Sequence, residues 1–168
     1  MNINELMDDI RAESLAAGWW DANLLDNDRR VCAQLIAVEI ARATQGERDG
    51  SGTGEVRLVD ALLRTITLGA RFDLRYVEGA SSRIEKTIRS ANSTPARHFH
   101  ITEALGHFGS LLYQHSWAND VIMSNAYSQL VDAILLTADL AGYDVETTTP
   151  QRLAHHKARA DHTRRSTR

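Results

Sequence analysis

The sequence predicts an all-α bundle of helical hairpins, and three observations carry that prediction. A nine-residue segment occurs twice, 72 residues apart: Arg57-Leu58-Val59-Asp60-Ala61-Leu62-Leu63-Arg64-Thr65 and Gln129-Leu130-Val131-Asp132-Ala133-Ile134-Leu135-Leu136-Thr137. No segment sustains two-residue alternation, whereas apolar residues recur at helical spacing along the chain. Of the 168 residues 43% are hydrophobic but only 6% aromatic, so the core must be mainly aliphatic, which favours packed helices over a sandwich. A repeat of this period points to a duplicated helical unit whose copies pack on each other. Each copy keeps one acid among apolar residues, and an acid on an apolar face is costly to bury without a partner. Asp60 therefore marks a candidate site. Each copy then runs to a short Asp-apolar ending, Asp73-Leu74 and Asp144-Val145.

The first helix is expected over Asn2 to Gly18, where Ile3, Leu6, Met7, Ile10 and Leu15 lie near helical spacing. A second is expected over 28–45, with Val31, Leu35, Val38 and Ala41 on its buried side and Asp26 or Asp28 as cap. Gln45 to Gly54 reads as a plain connection, rich in glycine and without the Gly-Lys-Ser/Thr ending of a phosphate-binding loop. Further helices are expected over Glu55–Arg71, Val77–Asn92, about 100–114, 121–142 and about 150–160. Pro95 and Pro150 punctuate the chain after each repeat.

A lone Cys32 excludes an intrachain disulfide and fits a reducing, cytoplasmic setting. No apolar run reads as membrane-spanning, and the acidic, polar beginning does not read as a signal peptide. The net charge of −3 divides unevenly. Residues 151–168 carry six basic groups and one acid, a net +5, leaving 13 basic and 21 acidic groups, a net −8, in residues 1–150. Such a segment reads first as a solvated end. Contact with nucleic acid is the lesser alternative, because no zinc-finger spacing or recognition-helix pattern accompanies it.

The acids on apolar helix faces of the first half are Glu39 and Asp60, each with an arginine three positions away, Arg42 and Arg57. Residues at i and i+3 share a helix face, so two antiparallel helices can bring all four side chains together. Around them stand Gly18-Trp19-Trp20-Asp21, Arg64, Lys86, Asn92 and Thr94-Pro95-Ala96-Arg97-His98. In this order the motifs resemble the MazG-like, all-α nucleoside triphosphate pyrophosphatase superfamily, and the likeness covers residues 2–98. That family has a Gly-aromatic-Trp-Asp element, then a helix with two Glu three apart. After a loop comes a helix with Glu and Asp three apart, followed by Arg. A Lys and an Asn then precede an Arg-Pro-x-Arg-His ending, here with altered spacing after Asn92.

The resemblance implies four carboxylates holding magnesium, with water attacking the α-phosphorus and pyrophosphate leaving. This chain departs from that pattern. Arg42 and Arg57 stand where the family has carboxylates, giving a nominal site charge of zero instead of −4. Guanidinium has no lone pair for a metal, and two cations about 5 Å from a dication cost several kcal/mol. No metal or other cofactor is therefore expected, with Glu39 and Asp60 the ligands if one binds. In the second half, Gly109, Leu112, Gln129 and Asp132 occupy the corresponding positions.

The expectation is an all-α bundle of two tandem MazG-like units, an internal pseudo-dimer: 1–98 with a partly retained site, 99–150 degenerate, and 151–168 a basic segment. It is expected to be non-catalytic and to bind a nucleotide or phosphate ligand, or a protein partner. Trp19 or Trp20 would stack on a base, while Arg42 and Arg57, helped by Arg64, Lys86 and Arg97, would hold the phosphates, with Asn92 and His98 in the same binding set. An inert ion-pair cluster explains the same charges. The alternative is a magnesium-dependent nucleoside triphosphate pyrophosphohydrolase. No membrane is implied, and a homodimer is compatible with aliphatic bundle faces. His100, Glu103 and His107 share a helix face in an order that matches no recognised zinc motif. Cys32 reads as a packed residue, Ser110 lacks a nucleophile elbow, and Trp117 reads as a packing anchor.

Overall fold

The structure, a computed structural model, describes residues 1–16, 25–79, 82–114 and 120–166. Among these residues seven helices follow in order: α1 (Ile3–Ala16), α2 (Leu25–Asp49), α3 (Gly54–Arg71), α4 (Ser82–Ser90), α5 (Thr94–Gln114), α6 (Asp120–Ala141) and α7 (Val145–Ser166). No strand occurs among the described residues, so the molecule is all-α. The hairpin α2–α3 packs on the hairpin α5–α6, α2 against α5 and α3 against α6. Each hairpin also receives the helix that precedes it: α1 lies on α3, and α4 lies on α6 and α5. Helix α7 closes over α3 and touches α6.

The core follows the aliphatic composition. Ile36 and Ile40 of α2, Leu58, Leu62 and Ile66 of α3, Ile101 and Phe108 of α5, and Tyr127, Leu130 and Ile134 of α6 are essentially inaccessible to solvent. Their three- and four-residue spacing places each set on one helix stripe. Ile3, Met7 and Ile10 join from α1 and Ile88 from α4. Helices α3 and α6 cross closely at Gly69, where a Cβ would stand 2.6 Å from the ring of Tyr127.

Several boundaries depart from the sequence expectation, each for a local reason. Helix α2 begins at Leu25, which places Asp26 and Asp28 inside its first turn instead of before it. It then runs on through Asp49, so Gln45–Asp49 is helix and not loop. Gly46 serves a close approach, because a Cβ there would lie 2.5 Å from Thr53 Oγ1 and 3.0 Å from the Gly54 nitrogen. The true connection is 50–53, where Gly50 and Gly52 take left-handed φ of 65° and 69°. On α2, Val31, Leu35, Val38 and Ala41 face solvent, not the core. The buried stripe holds Ile36, Glu39, Ile40 and Ala43. In α1, Leu15 is likewise exposed, and Ser14 continues the buried line of Ile3, Met7 and Ile10.

Helix α4, which begins at Ser82, is shorter than the expected 77–92, and side chains of α1 and α6 hold the backbone before it. Asn4 exchanges two 3.0 Å hydrogen bonds with the Tyr76 backbone, and Ser128 Oγ accepts the Val77 N–H at 2.9 Å. Pro95 lies inside the start of α5, which begins at Thr94 and not near 100. It occupies the first turn, where its missing N–H has no intrahelical partner to lose, and Ser93 Oγ caps the Ala96 N–H at 3.3 Å. The two Asp-apolar endings also differ. Asp73 is the left-handed residue after α3 (φ 57°), whereas Asp144 caps α7 by accepting the Thr147 N–H at 3.1 Å.

Two broader readings are corrected. The basic end is not a solvated tail through its first half: α7 runs from Val145, carries Pro150 near its start, and packs Leu153 on the core. One stretch, Val121–Ala141, is by length and composition long and apolar enough to cross a membrane, contrary to the sequence reading. Its mean hydropathy of 1.2 is modest and 56% of it is buried in the bundle, which matches a core helix.

Candidate functional site

Antiparallel α2 and α3 bring together the four side chains singled out in the sequence, and Arg64 joins them. Glu39 and Asp60 are each only 2% exposed. Glu39 receives three guanidinium groups: Arg42 Nη1 at 3.2 Å, Arg64 Nη2 at 3.4 Å and Arg57 Nη1 at 3.5 Å. Arg57 also reaches Asp60 Oδ2 at 3.7 Å, so it bridges the two acids and is not the main partner of Asp60. That role belongs to α7. Arg152 grips Asp60 with a two-pronged contact, Nε to Oδ1 at 2.8 Å and Nη2 to Oδ2 at 2.7 Å. His156 Nε2 lies 3.0 Å from Asp60 Oδ1, and since an ionised carboxylate only accepts, that nitrogen carries the hydrogen.

Arg152 and His156 are the residues that sequence reasoning missed. They are four apart, hence on one face of α7, and 92 and 96 residues from Asp60. The local sequence held no signal for them, because Asp60 already has Arg57 and Arg64 three and four positions away.

The electrostatics follow from these contacts. Burial would raise the Asp60 carboxyl, but hydrogen bonds from His156 and Arg152, with their charge, outweigh it and hold the group at about 2, against 3.8 ordinarily. A folded value below the unfolded one means the stabilisation is fully present above pH 4 and is lost as pH falls toward 2. About 2 kcal/mol of stability is expected to disappear over that interval. Urea midpoints measured between pH 5 and pH 2 check this, and Asp60→Asn should flatten that part of the profile.

Other expected site residues lie elsewhere. Helix α4 packs on α5 and α6 and not on α2 or α3, which leaves Lys86 exposed and away from the cluster. Asn92 lies in the turn before α5, and Arg97 reaches back to the Ala91 carbonyl at 3.5 Å. His98 is in the core, where its Nδ1 meets Thr44 Oγ1 at 3.0 Å, and burial lowers its pKa and favours the neutral ring. Among the described residues no hydrogen bond or ion pair joins these four to Glu39 or Asp60. Trp19, Trp20, Asp21 and Trp117 lie outside the described residues.

In the second hairpin Asp132 accepts a 2.6 Å hydrogen bond from the Tyr76 hydroxyl; burial and this carboxylate raise the phenol's pKa. Leu112 is buried there and Gln129 half-buried. His100 pairs with Glu103 at 2.7 Å while His107 is exposed. No group of three or more His, Cys, Asp or Glu side chains able to hold a metal occurs among the described residues.

Two clefts flank the repeated helices. One, of about 270 Å³, opens beside Arg64 between α1, α2, α3 and α7. The other, of about 460 Å³, lies between α4 and α6 and is lined by Glu78, Glu85, Asp132 and Asp139. Comparison of the chain with protein-family models, curated proteins and solved structures returns no match.

Proposed function

We propose that this chain is a non-catalytic tandem helical protein of MazG-like design that binds a phosphate-bearing ligand through arginine, without a metal. The observation that carries the reading is the charge count at the cluster. Two buried carboxylates meet four guanidinium groups, a net +2 before His156 is counted. Arg42 and Arg57 form the accessible rim, at 55% and 37% exposure, while Arg152 is the most enclosed at 21%. Guanidinium presents paired donors that match phosphate oxygens, and the carboxylates beneath fix its orientation.

A magnesium ion does not fit this donor set. The cluster has two carboxylates, both already accepting from cations, and a surplus of positive charge next to where the ion would sit. The recurrence of helix order supports the tandem design. Each hairpin carries its preceding helix on its second member, and α3 and α6, which bear the matching segments, pack together.

The test is calorimetric titration of the full chain with inorganic pyrophosphate and with nucleoside triphosphates, in chelator and in magnesium. Binding that persists in chelator is expected, and Arg57→Gln should weaken it roughly tenfold or more, as loss of a charge-assisted contact does. Pyrophosphate release from a triphosphate, dependent on magnesium and on Asp60, would overturn the reading.

A further inference from the structure

We infer that the cleft beside Arg64 holds the apolar body of the ligand, so that the molecule bound is an amphiphile with an anionic head and a short aliphatic chain. This rests on the anion-binding reading above and specifies the part of the ligand which that reading leaves open. The cleft encloses about 270 Å³, the space of roughly nine waters at liquid density. Ile10 of α1, Leu35 of α2, Leu63 of α3 and Leu153 of α7 supply its aliphatic lining, beside Glu13, Ser14, Cys32, Thr67 and His156. Arg64 and Lys157 add two cations to its lining.

Arg64 is the link between cleft and cluster. Its Nη2 spans 3.4 Å to Glu39, while its Nε is buried and has no hydrogen-bond partner. An unpaired buried donor costs free energy that an incoming acceptor recovers. Lys157 meets Glu13 at 2.6 Å across the same cleft, both partly exposed, so this pair can open to a second anionic oxygen. With cations and aliphatic side chains lining one cleft, it suits a head-and-tail molecule better than a small symmetrical ion.

The repeat supplies an internal contrast. Leu63, Arg64 and Thr67 line this cleft, and their partners 72 positions on, Leu135, Leu136 and Asp139, line the cleft on α6. The duplicated scaffold thus keeps a cleft in both halves, but the second replaces the arginine by leucine and is rimmed by carboxylates. Only the first can accept an anion.

The experiment compares inorganic pyrophosphate, ethyl phosphate, hexyl phosphate and hexanoate by calorimetry on the full chain in chelator. Each buried methylene is worth roughly fourfold in affinity, so hexyl phosphate should bind at least about tenfold tighter than ethyl phosphate even if the chain is partly exposed. Cys32→Phe, which fills the cleft, should erase that gain and leave pyrophosphate binding unchanged. Hexyl phosphate should bind more tightly than hexanoate; equal binding would contradict the phosphate head on which the inference rests and overturn it. If pyrophosphate binds while ethyl and hexyl phosphate bind alike in the unaltered chain, the inference fails and the arginine site stands. If none of the four binds, both fail.

Discussion

Asp60→Ala is expected to destabilise the protein by roughly 3–5 kcal/mol, the cost of breaking a buried ion pair from one side. The magnitude comes less from the missing carboxylate than from the cations it leaves behind. Arg152 is held at 21% exposure by the packing of α7 on α3, and without the carboxylate its charge stays desolvated and unpaired. His156 and Arg57 lose an acceptor at the same time. Arg152→Met should cost less, because Asp60 keeps His156 and a distant Arg57 and the methionine chain still fills the space. Urea denaturation of both variants at neutral pH measures the difference. Equal and small losses would mean that α7 does not close over Asp60.

Gly69→Ala is expected to destabilise by about 2 kcal/mol, against the sign of helix propensity. Alanine inside a helix is normally worth about 1 kcal/mol more than glycine. Here the added Cβ would lie 2.6 Å from Cε2 and Cζ of Tyr127 and 2.8 Å from its hydroxyl. That ring is fully buried, stacked at a tilt on Phe108 with centroids 6.0 Å apart, and its hydroxyl meets Met7 Sδ at 3.3 Å. It has no room to retreat, and overpacking of this kind outweighs the propensity gain. Tyr127→Leu in the same chain should recover much of the loss by removing the ring. Thermal unfolding of the single and double variants checks the crossing of α3 and α6; a more stable Gly69→Ala would place those helices further apart.

What the sequence made legible was mainly what local periodicity dictates. Helices α3 and α6 lie within a residue of their expected bounds, because both are long apolar runs of helical period and a glycine-rich turn precedes α3. The face of α2 misleads for a physical reason: two stripes compete on that helix, and the one that is buried contains an acid. Val31, Leu35 and Val38 make a continuous apolar line, whereas Ile36 and Ile40 are interrupted by Glu39. Glu39 is tolerable inside only because Arg42, Arg57 and Arg64 meet it, and two of those come from the next helix.

The same limit applies to the site. Glu39, Arg42, Arg57 and Asp60 are legible together, since i, i+3 spacing and one hairpin place them. Arg152 and His156 are not, because a basic segment near the chain's end carries no local mark of docking. Their alignment with Asp60 depends on α7 folding back across α3, a contact spanning more than ninety residues. Gly46 reads as a breaker because composition cannot distinguish a glycine that ends a helix from one that lets a second helix approach.

The most direct test is a double-mutant cycle on Asp60 and Arg152, using Asp60→Asn, Arg152→Met and the pair, with stability read from urea denaturation. A two-pronged contact at 2.7 and 2.8 Å in a buried setting should give a coupling energy of about 2 kcal/mol or more. Additive losses, with coupling near zero, would mean that Arg152 does not hold Asp60 and that the acid is free for a cation from outside.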